Sequence, residues 1–112
     1  MVLLIREGYA IVERDLQGVR DELARLAETY AETPMVGRTH HVYAIPTTFG
    51  LKAAGWLDEV DRGLDRLTEL RERLFALEFF GAVGTLASLG EKGPEVQEHF
   101  AEELDLDVPR TA

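Results

Sequence analysis

Near the start of the chain, apolar residues recur at alternating intervals of four and three positions. The series is Ile5, Tyr9, Val12, Leu16, Val19, Leu23, Leu26 and Tyr30. This spacing places every member on one side of an α-helix, because successive members lie about one turn apart. Most positions between them are charged. The pattern therefore predicts a helix over residues 3–31 with one apolar face and one charged, solvent-facing side.

The same spacing returns in a second segment, from about Thr47 to about Leu77. Its apolar positions are Ala53, Leu57, Val60, Leu64, Leu67 and Leu74. They predict a second long helix. Gly55 and Gly63 lie inside it, and each glycine costs about 1 kcal/mol of helix stability relative to alanine. We expect a neighbouring helix to approach closely at these two positions.

Proline and glycine mark the segments between helices. Pro34 and Pro46 break the helical pattern, so residues 35–44 are predicted to form an ordered loop or broken turn. The hydroxyl groups at positions 47 and 48 are suited to cap the second helix. Residues 81–85 contain two glycines and are predicted to form a tight turn. A phosphate-binding loop is the alternative, but the segment lacks the Gly-Lys-Ser/Thr ending of such a loop. Gly93–Pro94 opens a third helix that ends near Leu106.

The lengths of the first two helices indicate that they pack against further helices outside this hairpin. At about 1.5 Å per residue they are roughly 43 Å and 48 Å long, whereas a compact chain of this size is only about 34 Å across. The predicted fold is all-α: a long antiparallel helical hairpin with a short third helix, forming one partial domain over residues 1–112. Two helices cannot cover each other's apolar faces, so the hairpin is expected to belong to an oligomeric helix bundle.

Composition narrows the classes of partner. The chain has 21 acidic and 12 basic side chains and a net charge of −9, which repels nucleic acid and anionic lipid, so neither is an expected partner. The longest stretch without Asp, Glu, Lys or Arg has 13 residues, and a membrane span needs about 20 apolar positions. The chain has no cysteine and its first residues do not form a signal-peptide core. These features predict a cytoplasmic protein.

Candidate chemistry lies between the two long helices. His40 and His41 are adjacent there and follow Arg38 and Thr39. Imidazole exchanges protons near neutral pH, so the pair suggests general acid or base catalysis, although paired loop histidines are also common as plain polar surface. We expect no metal site, because adjacent histidines rarely chelate one ion and His99 is the only other histidine.

The residues around this pair resemble a known signature. The run from Pro34 to Lys52 contains Gly-Arg-Thr-His, followed by Ala-x-Pro-Thr-Thr-Phe-Gly-Leu-Lys. This run is similar to a motif of the fumarase/aspartase superfamily, most closely of its adenylosuccinate lyase branch. A later run, from Gly81 to Gly90, looks more like the 3-carboxy-cis,cis-muconate cycloisomerase branch.

The resemblance implies a homotetrameric all-helical enzyme with a central helix bundle and active sites built from three subunits. Adenylosuccinate lyases cleave a C–N bond by β-elimination and release fumarate without a cofactor. His40 matches the histidine assigned as general acid, and Thr39 matches a substrate-contacting hydroxyl. We expect Arg38, because of its charge, and His41 to contact the anionic substrate as well, either adenylosuccinate or a related dicarboxylate.

The sequence also departs from that pattern. Tyr43 stands where adenylosuccinate lyases usually have histidine, and Ile45 where glutamate is common. The superfamily's upstream motif with a second histidine is absent, and so is the downstream Ser-Ser-x-Met-Pro-x-Lys loop that supplies the base. We therefore expect a segment of a longer lyase, with no turnover by these 112 residues alone. The alternatives are a cycloisomerase segment, a non-catalytic helical interaction module and a small enzyme completed by helix swapping.

Overall fold

The computed structural model describes residues 1–109, so the last residues of the predicted domain lie outside it. Its elements are α1 (Val2–Thr29), β1 (Pro34–Thr39), β2 (Val42–Thr48), α2 (Phe49–Leu74), a 3₁₀ helix (Ala87–Lys92) and α3 (Gly93–Leu104). The three predicted helices are confirmed, and every end lies within three residues of its expected position.

The segment between the long helices differs from the prediction. Residues 35–44 are not a loop, because β1 and β2 pair antiparallel as a two-stranded hairpin. The all-α fold class is wrong in this respect. Pro46 is tolerated because a two-stranded ribbon consists of edge strands only, where a missing amide hydrogen need not break a ladder. Both strands are largely exposed. Their sequences do not alternate between apolar and polar residues, so no pattern of this kind predicts them.

One compact unit comprises residues 10–68. Here the end of α1 lies against the start of α2: a Cβ added at Gly50 would be 2.6 Å from the Ala27 carbonyl oxygen and 2.5 Å from the Ala31 Cα. Further along, Arg20 Nε donates to Asp61 Oδ1 at 2.7 Å, and that carboxylate raises the pKa of the Arg20 guanidinium. The antiparallel arrangement of the two helices is confirmed in this unit.

Within the described chain, no helix approaches the two helix glycines for which the sequence predicts a close neighbour. A Cβ at Gly55 would meet nothing within 4 Å, and one at Gly63 would meet only the flexible end of Arg66 at 3.8 Å. The close approach occurs instead at Gly50, in the first turn of α2. The reason is geometric, because the hairpin brings the two helix ends together there and nowhere else along α2 does the described chain press on a glycine.

The other unit comprises residues 1–9 and those from 69 onward. Its core holds Val2, Tyr9, Phe75, Leu77, Leu86 and Ala101. The Tyr9 and Phe75 rings pack edge to face with centroids 5.2 Å apart, and buried Gln97 donates to the Phe79 carbonyl at 2.8 Å. Among residues 1–109, no helix is both long enough and apolar enough to cross a membrane.

Much of the apolar face of α1 is not covered by the described chain. Ile5 is 36% exposed, Val12 49% and Val19 47%, and Leu4 and Ile11 beside this face are 71% and 51% exposed. A stable soluble protein normally buries such a row of side chains, since each fully buried aliphatic side chain contributes about 1.5 to 3 kcal/mol. The exposure agrees with the expectation that this surface needs a partner.

Candidate functional site

The β-hairpin carries the candidate residues, and its register determines where each one lies. Thr39 pairs with Val42 and Arg38 pairs with Tyr43 next to the tip, while Pro34 pairs with Thr48 at the base. Between these ends the register shifts. The shift falls at Gly37, where a Cβ would lie only 2.5 Å from the Ile45 carbonyl oxygen. Glycine is therefore required at this irregularity, because any side chain would collide with the opposite strand.

His40 and His41 form the whole of the loop at the tip of the hairpin. Both have left-handed backbone angles, with φ of 47° and 62°. A two-residue loop with positive φ at both positions matches the twist of the flanking strands, and it normally favours Asn-Gly. Histidine tolerates this region better than most residues but is still strained there. Strained backbone at an exposed tip is typical of a functional position.

The strand geometry separates the other two candidates. Residues directly opposite in an antiparallel pair share a face, and consecutive residues along a strand point to opposite faces. Arg38 therefore lies on one face of the ribbon with Tyr43, and its guanidinium carbon is 5.9 Å from the Tyr43 ring centroid. Thr39 lies on the other face with Val42. The structure thus brings Thr39 next to His40 and His41, while Arg38 faces the opposite side of the ribbon.

All four candidate residues are exposed. Within residues 1–109, neither imidazole at the tip has a hydrogen-bond partner, and no group of three His, Asp or Glu side chains is arranged to hold a metal ion. An imidazole that acts as a general acid needs a neighbouring group to orient it and an opposing base. Within residues 1–109, no side chain at the hairpin tip orients either imidazole by a hydrogen bond.

Sequence reasoning missed a second feature on the same hairpin. A groove of about 260 Å³ lies between β1 and the first turn of α2, lined by residues 35–38, Thr47, Leu51 and Lys52. It contains two cationic side chains, those of Arg38 and Lys52. A signal was available in the sequence, because a lysine in the first turn of a helix opposes the positive end of the helix dipole.

Comparison with known proteins identifies the family. A lyase family model matches residues 1–111. The chain belongs to this lyase family. The predicted membership of the fumarase/aspartase superfamily is confirmed, and it was carried by the motif that spans the hairpin and the start of α2.

The curated relatives of this lyase chain have different names. It is 50% identical over 108 residues to the N-acetyl-S-(2-succino)cysteine lyase of Dickeya dadantii, 96% of this chain and 24% of that protein. It is 48% identical to the adenylosuccinate lyase of Pyrococcus horikoshii with the same coverage. It is also 48% identical to the 3-carboxy-cis,cis-muconate cycloisomerase of Pseudomonas aeruginosa, over 97% of this chain and 24% of that protein. The chain spans about a quarter of the length of these relatives.

A solved structure confirms the lyase fold, including the hairpin. The crystal structure of the fumarate lyase from Mesorhizobium sp. BNC1 superposes with a TM-score of 0.96 at 50% sequence identity. The match covers 99% of this chain and 26% of that structure. The helices and the two-stranded ribbon together are thus the fold of a segment of a fumarate lyase.

Proposed function

We propose that this lyase chain contributes the proton-donating tip to an enzyme that releases fumarate from a succinylated substrate by β-elimination. The observation that carries the proposal is the position of His40, on a strained and exposed two-residue loop next to Thr39 in the sequence. Two of the relatives carry the succino group in the names of their substrates. The substrate class is therefore a small anionic molecule, adenylosuccinate or a related dicarboxylate.

The reaction requires two proton transfers. A base removes a proton from the carbon next to one carboxylate, and the resulting electron pair forms the double bond of fumarate. The bond from the neighbouring carbon to nitrogen or sulfur breaks, and an acid protonates the departing atom. The imidazolium form of His40 suits this last step because it donates a proton and its positive charge stabilises an anionic substrate. The resemblance to adenylosuccinate lyases implies that the reaction requires no cofactor.

The remaining candidates take supporting roles. Thr39 lies on the strand next to His40 and is placed to donate a hydrogen bond to the substrate. His41 completes the same loop and adds a second imidazole beside the substrate. The base is not assigned to any residue of this chain, so these 112 residues alone are expected to release no fumarate.

Assembly would supply what the hairpin lacks. The exposed apolar residues of α1 favour burial against other copies, and the helix bundle of a homotetramer would cover them. In such an assembly the tip of one copy faces groups from others, which would provide an orienting partner and a base. We infer a cytoplasmic location from the absence of cysteine and the acidic composition. Native mass spectrometry of the protein made by the source cells is expected to report four copies.

Replacement of His40 tests the proposal directly. In the polypeptide that carries these residues in its source cells, His40→Gln is expected to lower kcat for fumarate release by about 10²- to 10⁴-fold. The ultraviolet absorbance of fumarate measures the rate with adenylosuccinate and with N-acetyl-S-(2-succino)cysteine.

His99→Gln is the matched control, because His99 is an exposed histidine on α3 that contacts Glu102 at 3.2 Å. It should leave kcat unchanged. An equal loss in both variants, or less than a tenfold loss at His40, would contradict the role of His40 as acid.

A cycloisomerase is the second candidate. The relative from Pseudomonas aeruginosa is as similar to this chain as the adenylosuccinate lyase is. In that case the chemistry uses a carboxymuconate, and His40 would move a proton without a nitrogen leaving group. Including 3-carboxy-cis,cis-muconate among the assayed substrates separates the two candidates, since only the enzyme's own substrate is expected to be consumed.

A further inference from the structure

Two cationic residues and no acidic residue line the groove between β1 and α2. Residues 35–38, Thr47, Leu51 and Lys52 line it, and no acidic side chain is among them. We refer to it as the Arg38–Lys52 groove. The chain as a whole has nearly twice as many acidic as basic side chains, so two cations that share a groove without an acid stand out against their surroundings.

Neither cation has a carboxylate partner in the part of the chain that the structure describes. Arg38 lies over the Tyr43 ring, and the Lys52 ammonium lies 5.1 Å from the centroid of the Trp56 ring. Contact with an aromatic face leaves the N–H donors free, since the attraction is to the ring's electron density rather than to an acceptor atom. By contrast, arginines on the two long helices do have carboxylate partners: Arg25 binds Glu22 and Arg62 binds Asp58.

The start of α2 adds positive potential to the groove but no free donors. The Phe49 amide donates to the Thr33 carbonyl and the Gly50 amide to the Tyr30 carbonyl, both at 2.9 Å. The Leu51 amide donates to Thr48 Oγ1 at 3.2 Å. An anion in the groove would thus be recognised by the two side chains, and the helix dipole would only strengthen its binding. Such an anion would also offset the unfavourable position of Lys52 in the first helical turn.

The groove and the proton-donating tip are separate parts of the hairpin. Arg38 faces away from Thr39, whereas Lys52 lies beyond the base of the ribbon, which is about 17 Å from the tip at 3.3 Å per residue. A group bound at the Lys52 end of the groove is therefore remote from the bond that His40 would protonate, whereas Arg38, two residues before His40 in the sequence, forms the near end of the groove. A group bound at the Lys52 end belongs to the end of the substrate that does not become fumarate.

We propose that the Arg38–Lys52 groove binds an anionic oxygen group, a carboxylate or a phosphate, on the leaving portion of the substrate. This inference depends on the proposed lyase function for the identity of the ligand, but the anion site itself does not. Lys52 and Arg38 would then determine which succinylated molecules bind, while His40 carries out the chemistry.

Trp56 offers a direct readout, because it is the only tryptophan of the chain, is 43% exposed and lies against Lys52. Inorganic phosphate and succinate are titrated separately into the native polypeptide at constant ionic strength. The signal of interest is the fluorescence change that Trp56→Phe removes. We expect saturation with at least one of the two anions, and the stronger binder indicates whether the group is a phosphate or a carboxylate.

Two lysine variants make the test specific. Lys52→Met keeps the length of the side chain and should abolish the saturable change, and Arg38→Gln should weaken it by about tenfold or more. Lys92→Met removes the other lysine of the chain, at the end of the 3₁₀ helix, and should have no effect. A linear response to both anions, or saturation that persists in Lys52→Met, would overturn the anion site.

Kinetics distinguish the groove from the lyase function. If fumarate is released, Lys52→Met should raise KM by about tenfold or more and change kcat little, because it removes a charge-assisted bond remote from the reacting atoms. Saturable anion binding without fumarate release would leave the groove standing and reject the function. Fumarate release with the same KM in Lys52→Met and Lys92→Met would support the function and reject the groove.

Discussion

The two ends of the β-hairpin are built differently. At the base, the Phe49 and Gly50 amides are bonded to the Thr33 and Tyr30 carbonyls, just after α1, and Gly50 is buried. At the tip, His40 and His41 are exposed, have positive φ and have no hydrogen-bond partner within residues 1–109. The base uses glycine where space is limited. The tip uses histidine where glycine or asparagine would be less strained.

This difference indicates that the residues of the base are determined by folding, whereas those of the tip are determined by the proposed chemistry. Each feature of the base satisfies a backbone group or fills space, so it lowers the energy of the folded chain. The features of the tip raise that energy in this chain and are explained only if an exposed imidazole at a fixed position is useful. Substitutions at the two ends should therefore have effects of opposite sign on stability.

Gly50→Ala is expected to have the largest effect on stability. The added Cβ would lie within 2.7 Å of three backbone atoms of Ala27 and Ala31, which cannot move aside as a flexible side chain could. We expect the free energy of unfolding to fall by about 1 to 3 kcal/mol, as for other overpacked positions. Urea unfolding at one fixed protein concentration measures it, since association also shifts apparent stability.

Gly55→Ala is the matched control on the same helix. A Cβ there meets nothing within 4 Å in this chain, so alanine should raise stability by up to about 1 kcal/mol through its higher helix propensity. If Gly55→Ala destabilises instead, a helix from another copy approaches α2 at Gly55. That result would restore the expectation drawn from the sequence and would support the proposed oligomer.

His41→Gly should change stability in the opposite direction. At φ of 62° a Cβ is unfavourable by about 1 to 2 kcal/mol, and glycine removes that strain. Val42 is the matched position, because it is the first residue of β2. There Val42→Gly should lower stability, since glycine weakens a strand. Thermal unfolding measures the stability of both variants. A change in the same direction at the two positions would reject the argument that the tip is strained.

The helices were predictable because their apolar spacing is repeated over many turns, and each repeat adds independent support. The hairpin was not, for two physical reasons. The sequences of its strands do not alternate between apolar and polar residues, so no period of two is present. Its loop is His40-His41 rather than Asn-Gly, so the usual turn signal was missing. Pro34 and Pro46 were read as helix breaks, which they are, but they also lie within the two strands.

The candidate residues were predictable only as a motif. The resemblance placed Arg38, Thr39, His40 and His41 together, since they are adjacent in sequence. Their division between two faces of a ribbon follows from strand pairing, which a loop interpretation could not reveal. The groove was missed for the same reason, because Lys52 is fourteen positions beyond Arg38 and only the hairpin brings both to one groove.

Thr48→Ala should have the smallest effect and should separate the base from the tip. The Thr48 hydroxyl accepts a hydrogen bond from the Leu51 amide at 3.2 Å, which confirms one of the two predicted caps of α2. Its loss should lower the free energy of unfolding by about 1 kcal/mol, whereas Thr48→Ser, which keeps the hydroxyl, should lower it less. Thr47→Ala is the control, because no cap bond of α2 involves its hydroxyl within the described chain. Fumarate release measured on the same samples below their unfolding transitions should be unchanged in the two Thr48 variants. A fall in kcat with Thr48→Ala alone would mean that the cap at the base also positions His40, and the two ends of the hairpin would then have to be treated as one mechanical unit.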